Sequence, residues 1–234
     1  MAAMRLARDN GAAALEFDLH LTAKDELVLN HDPVIQTDAG PVEIAGKSLE
    51  KLRQLKPDVA TLDEILTEFS DVPLTVEVKA RKAAERAARR LADEPGDRPV
   101  ILTAFKPATV AAAKRAAPGL DTAPAWPTIL LFWLLSRVGV TAPVGAGHVA
   151  LQVAIRMDQV TGLKAIPLVR RLRIADRRFV EAAHRRGLAV HVWTVDEDRD
   201  MRAVVAAGAD GIFSDRPSRL TNVLDELGVR WTGP

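Results

Sequence analysis

Glu16 and Asp18 stand two residues apart in Leu15-Glu16-Phe17-Asp18-Leu19-His20, and Glu77 and Lys79 do the same in Thr75-Val76-Glu77-Val78-Lys79. Successive side chains of an extended strand point to opposite faces. Glu16 and Asp18 therefore share one face and Leu15, Phe17 and Leu19 the other, while Glu77 and Lys79 oppose Val76 and Val78. Carboxylates gathered on one face need a positive partner, because an unpaired buried charge costs several kcal/mol. Three carboxylate oxygens suit Mg2+ or Ca2+, which favour oxygen ligands over imidazole. Taken singly, either strand also reads as an edge strand with one face in water; the recurrence of the pattern in two strands argues for a shared site. Past the short strand at Leu27 comes His31-Asp32-Pro33, a loop imidazole suited to proton transfer near neutral pH. His20 lies on the face of Glu16 and Asp18 but one step further along. His148 and His191 read as inward barrel residues and His184 as a solvated helix residue.

The elements that must position these groups alternate between strand and helix. Met1 to Asn10 has helical composition and stops at Asn10-Gly11, and a strand follows over Ala12 to Asp18. Leu27 to Asn30 reads as a strand, and Thr61-Leu62-Asp63-Glu64 matches a capping box opening a helix to about Phe69. Leu74 to Lys79 is a strand, Ala80 to Ala92 a helix with a solvated Arg face, Pro95-Gly96-Asp97 a connection, Val100 to Thr103 a strand and Thr109 to Ala117 a helix. His148 to Val153, Leu188 to Val195 and Ala209 to Ser214 read as strands, with helices over Asp176 to Arg186 and Asp200 to Ala207 stopped by Gly187 and Gly208. Such alternation is the pattern of a parallel α/β architecture. Ala123 to Gly147 is the least regular stretch; it reads as a buried or half-buried helix with flanking loops, or as a lid or greasy contact for a lipid-like substrate.

The chain has 234 residues, 48% of them hydrophobic, which suits one large domain or two small ones, an α/β barrel of about 250 residues being a familiar single-domain solution. Lys and Arg total 32 against 31 Asp and Glu, so no general field attracts nucleic acid or an anionic membrane. Without cysteine, thiolate catalysis, disulfides and cysteine metal sites are excluded. The first residues lack the pattern of a signal peptide, and the apolar run from Thr128 to Leu135 is far shorter than the roughly 20 residues needed to span a bilayer. The expectation is a cytoplasmic protein with a small-molecule substrate, no nucleic-acid partner and no membrane span. No residue pattern sets its oligomeric state.

In combination these residues resemble the glycerophosphodiester phosphodiesterase family. The carrying motifs are Glu16-x-Asp18-x-x-Leu21-Thr22, His31-Asp32-Pro33, Thr61-Leu62-Asp63-Glu64-Ile65-Leu66, Val76-Glu77-Val78-Lys79, Val192-Trp193-Thr194-Val195, and Gly208-Ala209-Asp210-Gly211 running on to Pro217. Their order along the chain carries the match. The resemblance implies a TIM-type (β/α)8 barrel over a single domain, residues 1–234. It also implies a divalent metal, Mg2+ or Ca2+, held by Glu16, Asp18 and Glu77. Glycerophosphodiesters would be split into glycerol 3-phosphate and an alcohol, with His31 as general acid or base, Lys79 neutralising phosphate charge and Trp193 walling the glycerol pocket.

The family's barrel opens with a strand ending in His-Arg-Gly and a Pro-Glu-Asn-Thr loop, and the sequence as given starts beyond them. The expectation is therefore a barrel lacking its first strand in the chain as given. Either the natural polypeptide starts further upstream, or the chain is a degenerate member that binds a phosphorylated ligand with weak or no turnover. After His31-Asp32-Pro33 the family carries an Arg-Thr cluster, where this chain has Val34-Ile35-Gln36-Thr37-Asp38. A lysophospholipid substrate, its acyl chain held by Ile129 to Leu135, is a further alternative.

Overall fold

The structure is a computed structural model that describes residues 1–38, 40–94, 98–141, 143–160 and 172–229. The connection expected at Pro95-Gly96-Asp97 lies outside them. Two compact units emerge, one from Met1–Arg8 and Ala13–Ala125, the other from Asp9–Ala12 and Trp126–Pro234.

The first unit contains α1 (Ala2–Asp9, all but its last residue), β1 (Leu15–Leu21), β2 (Leu27–Leu29), β3 (Val34–Thr37), β4 (Gly40–Glu43), α2 (Leu49–Leu55), α3 (Leu62–Glu68), β5 (Leu74–Val78), α4 (Arg81–Ala92), β6 (Val100–Thr103) and α5 (Pro107–Ala116). Alternation along β1 buries Leu15, Phe17 and Leu19. They join Val76, Val78 and Leu102 in one core, covered by α3 residues Leu62, Ile65 and Leu66. The sheet order is β2-β1-β5-β6, with β1, β5 and β6 parallel and β2 antiparallel to the far end of β1. A parallel bridge from Leu102 to Thr122 adds one more position beyond β6.

Thr61 caps α3 as expected. Its side chain accepts from Glu64 N, and the Glu64 carboxylate accepts from Thr61 N at 2.8 Å, so two exposed donors of the first turn are satisfied. On α4 the residues Ala83, Ala84, Ala87 and Ala88 are buried, a small-residue face that admits close approach, while its arginines stay on the polar side. Arg90 pairs there with Asp63 and Glu94.

The second unit contains α6 (Trp126–Ser136), β7 (Ala150–Ala154), α7 (Arg177–His184), β8 (Ala189–Trp193), α8 (Asp198–Ala207), β9 (Gly211–Ile212) and α9 (Pro217–Glu226). β7, β8 and β9 are parallel and adjacent in that order. Among the described residues, then, the first unit supplies parallel positions at β1, β5, β6 and Thr122, and the second at β7, β8 and β9. The irregular stretch becomes α6, half-buried as expected. Ile129, Phe132 and Trp133 enter the core and Phe132 meets Phe179 edge-on at 5.5 Å, whereas Leu131 and Leu134 stay about half exposed. Arg137 stacks on Trp133 and grips Asp176, the cap of α7. Burial pushes the Asp176 carboxyl up, but hydrogen bonds from Arg137 and Phe179 N outweigh it and hold it below its ordinary value. Among the described residues no helix is long and apolar enough to cross a membrane.

Several boundaries move inward. β1 starts at Leu15 rather than Ala12, and β9 keeps only Gly211 and Ile212 of the expected Ala209–Ser214. Gly208 ends α8 in the left-handed region at φ 87°, a conformation open to glycine at little cost. The β3–β4 hairpin, α2 and α9 are not among the expected elements, although Ser48 caps α2 by accepting from Lys51 N.

His191 faces inward on β8 as expected, against Gln152 and edge-on to Phe213. Burial holds its imidazole below the ordinary histidine value, opposed by the nearby Asp210 charge. Its register partner is Gly211, where an added Cβ would lie 2.8 Å from His191 Cδ2. Gly211→Ala is therefore expected to destabilise the protein by about 1–3 kcal/mol through overpacking. In urea unfolding, the cost should shrink by at least about 0.5 kcal/mol when His191 is also changed to Ala; strict additivity would remove the steric explanation.

Candidate active site

The register between β1 and β5 builds the site. Asp18 lies directly opposite Glu77 on the neighbouring parallel strand, and Glu16 opposite Thr75. The apolar alternates on both strands are buried beneath, so packing alone turns the carboxylates to the other face. Like charges placed opposite one another repel. The Lys79 ammonium, one residue past the end of β5, answers that repulsion with ion pairs of 2.6 Å to Asp18 Oδ1 and 2.6 Å to Glu77 Oε1. Burial pulls the Lys79 pKa down, yet the hydrogen bonds and charges of Asp18 and Glu77 more than offset it and the net direction is upward.

A raised lysine pKa means that this stabilisation is complete below the ordinary value of 10.5 and disappears as pH climbs through the folded-state value. Lys79→Met is expected to cost about 1 kcal/mol near neutral pH, a fall of about 2–4 °C in Tm. Thermal scans should show wild type and variant converging under strongly alkaline conditions, and a constant gap would contradict the charge argument.

One oxygen each of Glu16, Asp18 and Glu77 lies within 4.8 Å of the others. Oxygens around one Mg2+ or Ca2+ at ordinary bond lengths are about 3 Å apart when adjacent and about 4–5 Å when opposed. The trio matches that spacing, and its all-oxygen chemistry matches hard divalent cations. Glu16 is exposed and Asp18 and Glu77 half-buried, so the face is open to solvent and ligand.

The turn after β1 carries the chain back beside the carboxylates. Thr22 Oγ1 accepts from Lys24 N and Glu26 N and donates to Glu26 Oε2, and Asp25 sits at φ 61°, tightening the return into β2. β2 then runs antiparallel to β1, and Asn30 N donates to the Asp18 carbonyl at 3.2 Å. His31, the next residue, carries an exposed ring whose Nδ1 lies 3.0 Å from Asp32 Oδ1. Its Nε2 has no hydrogen-bond partner among the described residues. The unit thus brings together Glu16, Asp18, Glu77 and Lys79 at β1 and β5, with His31 following β2 on the other side of β1.

Trp193 ends β8 in the second unit, half-buried against that unit's core. His184, expected to be solvated, is exposed but also reaches Asp210 Oδ2 at 2.8 Å. Two residues that sequence reasoning undervalued hold the His31 loop. The His20 Nε2 meets the His31 carbonyl at 3.2 Å, and Asn30 Nδ2 donates to the Asp32 and Val34 carbonyls at 2.7 and 3.0 Å. An Asn directly before a loop, with its side chain free to bond nearby carbonyls, was the available signal.

The glycerophosphoryl diester phosphodiesterase family model matches residues 1–219. A glycerophosphodiester phosphodiesterase of Caldanaerobacter subterraneus subsp. tengcongensis is 24% identical over 247 residues, covering 97% of this chain and 92% of that protein. A probable glycerophosphodiester phosphodiesterase 2 of Mycobacterium tuberculosis is 26% identical over 241 residues, covering 100% and 87%. Among solved structures, the glycerophosphoryl diester phosphodiesterase domain of a Mycobacterium tuberculosis protein superposes with a TM-score of 0.74 at 15% identity, over 96% of this chain and 92% of that one. An Oleispira antarctica phosphodiesterase in complex with the product sn-glycerol-3-phosphate gives 0.70 at 20% identity, over 96% and 90%. The structural likeness establishes the fold, the TIM-type α/β barrel of these enzymes. Sequence and motif order together make the chain a member of the glycerophosphoryl diester phosphodiesterase family, a family of phosphoric diester hydrolases.

Proposed function

We propose that this protein hydrolyses glycerophosphodiesters to sn-glycerol 3-phosphate and an alcohol in a reaction that depends on a divalent cation, Mg2+ or Ca2+. The carrying observation is the convergence of the Glu16, Asp18 and Glu77 oxygens within 4.8 Å beside the Lys79 ammonium. These three carboxylates would hold the cation. When bound, it supplies Lewis-acid polarisation of the phosphoryl oxygens and neutralises charge. Lys79, released from its carboxylate partners, would bring a second positive charge to the phosphate. Stabilising charge that grows on nonbridging oxygens is the main demand of such a reaction.

Hydrolysis adds water at phosphorus and breaks the bond to the alcohol oxygen, which leaves needing a proton. His31 fits that need: its Nδ1 is oriented by Asp32, leaving Nε2 to hold or release a proton. Trp193 is proposed to wall the glycerol moiety. The complexed product of the Oleispira antarctica relative supports glycerol 3-phosphate as the released half.

The test is turnover of glycerophosphocholine by the purified protein, read as glycerol 3-phosphate. Turnover is expected with Mg2+ or Ca2+, with loss on chelation and recovery on adding the cation back. No turnover with either cation would reject the reading in favour of a phosphate-ligand-binding protein. The half-exposed Leu131 and Leu134 favour one second reading, an acyl-bearing substrate. Faster turnover of lysophosphatidylcholine than of glycerophosphocholine would select it.

A further inference from the structure

We propose that His20 and Asn30 are positioning residues that hold the His31-Asp32-Pro33 loop in register with the carboxylate strand; this rests on the reading of His31 as the proton-transfer group. His20 follows Asp18 by two residues on β1 and shares its face, but unlike Glu16 and Asp18 it is buried, with 9% of its surface exposed. A buried imidazole is costly without a partner. The partner is the His31 carbonyl, 3.2 Å from Nε2, and since a carbonyl can only accept, that nitrogen carries the hydrogen.

Asn30 completes the grip. Its backbone N–H donates to the Asp18 carbonyl, and the two hydrogens of its side-chain amide go to the carbonyls of Asp32 and Val34. Carbonyls on both sides of Pro33, together with that of His31 itself, are therefore fixed by side chains anchored to β1 and to the end of β2. The His31 ring is exposed, and among the described residues the Asp32 carboxylate alone orients it. Its position relative to Asp18 thus depends on the backbone that His20 and Asn30 hold. A displacement of about 1 Å at a reacting group can cost about 100-fold in rate.

The experiment compares His20→Leu, His20→Gln, Asn30→Asp and His31→Ala. Steady-state kinetics on glycerophosphocholine, Mg2+ affinity by calorimetry and amide hydrogen exchange over residues 30–34 are read for each. His20→Leu is expected to lower kcat by about 10- to 100-fold, with KM and Mg2+ affinity within about twofold of wild type and faster exchange in the loop. His20→Gln, whose amide can still donate to the carbonyl, should recover most of that turnover, and Asn30→Asp, which loses both donors, should behave like His20→Leu.

Wild-type kcat in both His20→Leu and Asn30→Asp would overturn the proposal, as would losses of kcat that merely follow lost Mg2+ affinity or unfolding. Should His20→Leu not fold, Asn30→Asp decides by the same criteria. Wild-type turnover in His31→Ala would instead remove the proton-transfer reading on which the proposal rests. An inactive wild type would reject the hydrolase reading, a result separable from the loop's exchange behaviour, which needs no substrate.

Discussion

Asp18→Asn and Glu77→Gln are each expected to weaken divalent-cation binding and turnover by at least about 100-fold. Groups that only orient metal ligands cost about 10- to 100-fold when changed, so direct oxygen donors should reach at least the top of that range. Asp18 and Glu77 face one another across the β1–β5 register, and both contact Lys79. Removing either therefore also disturbs the lysine that is to meet the phosphate. Glu16, exposed at the rim, should give a smaller loss as Gln. Calorimetry with Mg2+ and Ca2+ checks the affinity arm and glycerol 3-phosphate release the catalytic arm. Normal cation binding in all three variants would dismantle the site.

His31→Ala should separate chemistry from binding. The ring is exposed and, among the described residues, its one side-chain hydrogen-bond partner is Asp32, so its removal should leave Tm and cation affinity close to wild type. Turnover is expected to fall by about 10²- to 10⁴-fold, the usual contribution of a positioned acid or base. The loss should fall on kcat. Substrates whose leaving alcohol is more acidic need less proton donation and should be rescued in part, so a nitrophenyl phosphodiester should show a smaller defect than glycerophosphocholine. An equal defect on both would assign His31 to binding instead.

How much of this was legible depended on whether a residue's role is local. The two alternating strands around Glu16, Asp18 and Glu77 follow from period-two packing, which fixes side-chain direction without knowledge of the fold. The Thr61 capping box and the Gly208 stop were equally local. What the sequence did not supply was register: that Asp18 faces Glu77 rather than Thr75 depends on how β1 and β5 slide against each other. The partnership of Lys79 with both carboxylates follows only from that register.

His20 illustrates the limit. Alternation placed it on the carboxylate face, but its burial and its hold on the His31 carbonyl arise from the return of β2, which a turn around Thr22 and Asp25 sets. Short elements failed for a different reason. β9 keeps two residues of the strand expected there, and the β3–β4 hairpin strands, Val34–Thr37 and Gly40–Glu43, lack the continuous apolar runs that mark the equally short β2 and β6. The greasy α6 was ambiguous because apolar residues surround it; which face is buried was decided by the packing of Phe132 against Phe179.

Crystals of the protein soaked in Mn2+ and measured at the manganese edge give the most direct test. An anomalous peak is expected about 2.0–2.6 Å from oxygens of Glu16, Asp18 and Glu77, with Lys79 Nζ withdrawn from at least one of its two carboxylates. A map with no peak there at saturating Mn2+, or with its strongest peak held by other residues, would contradict it.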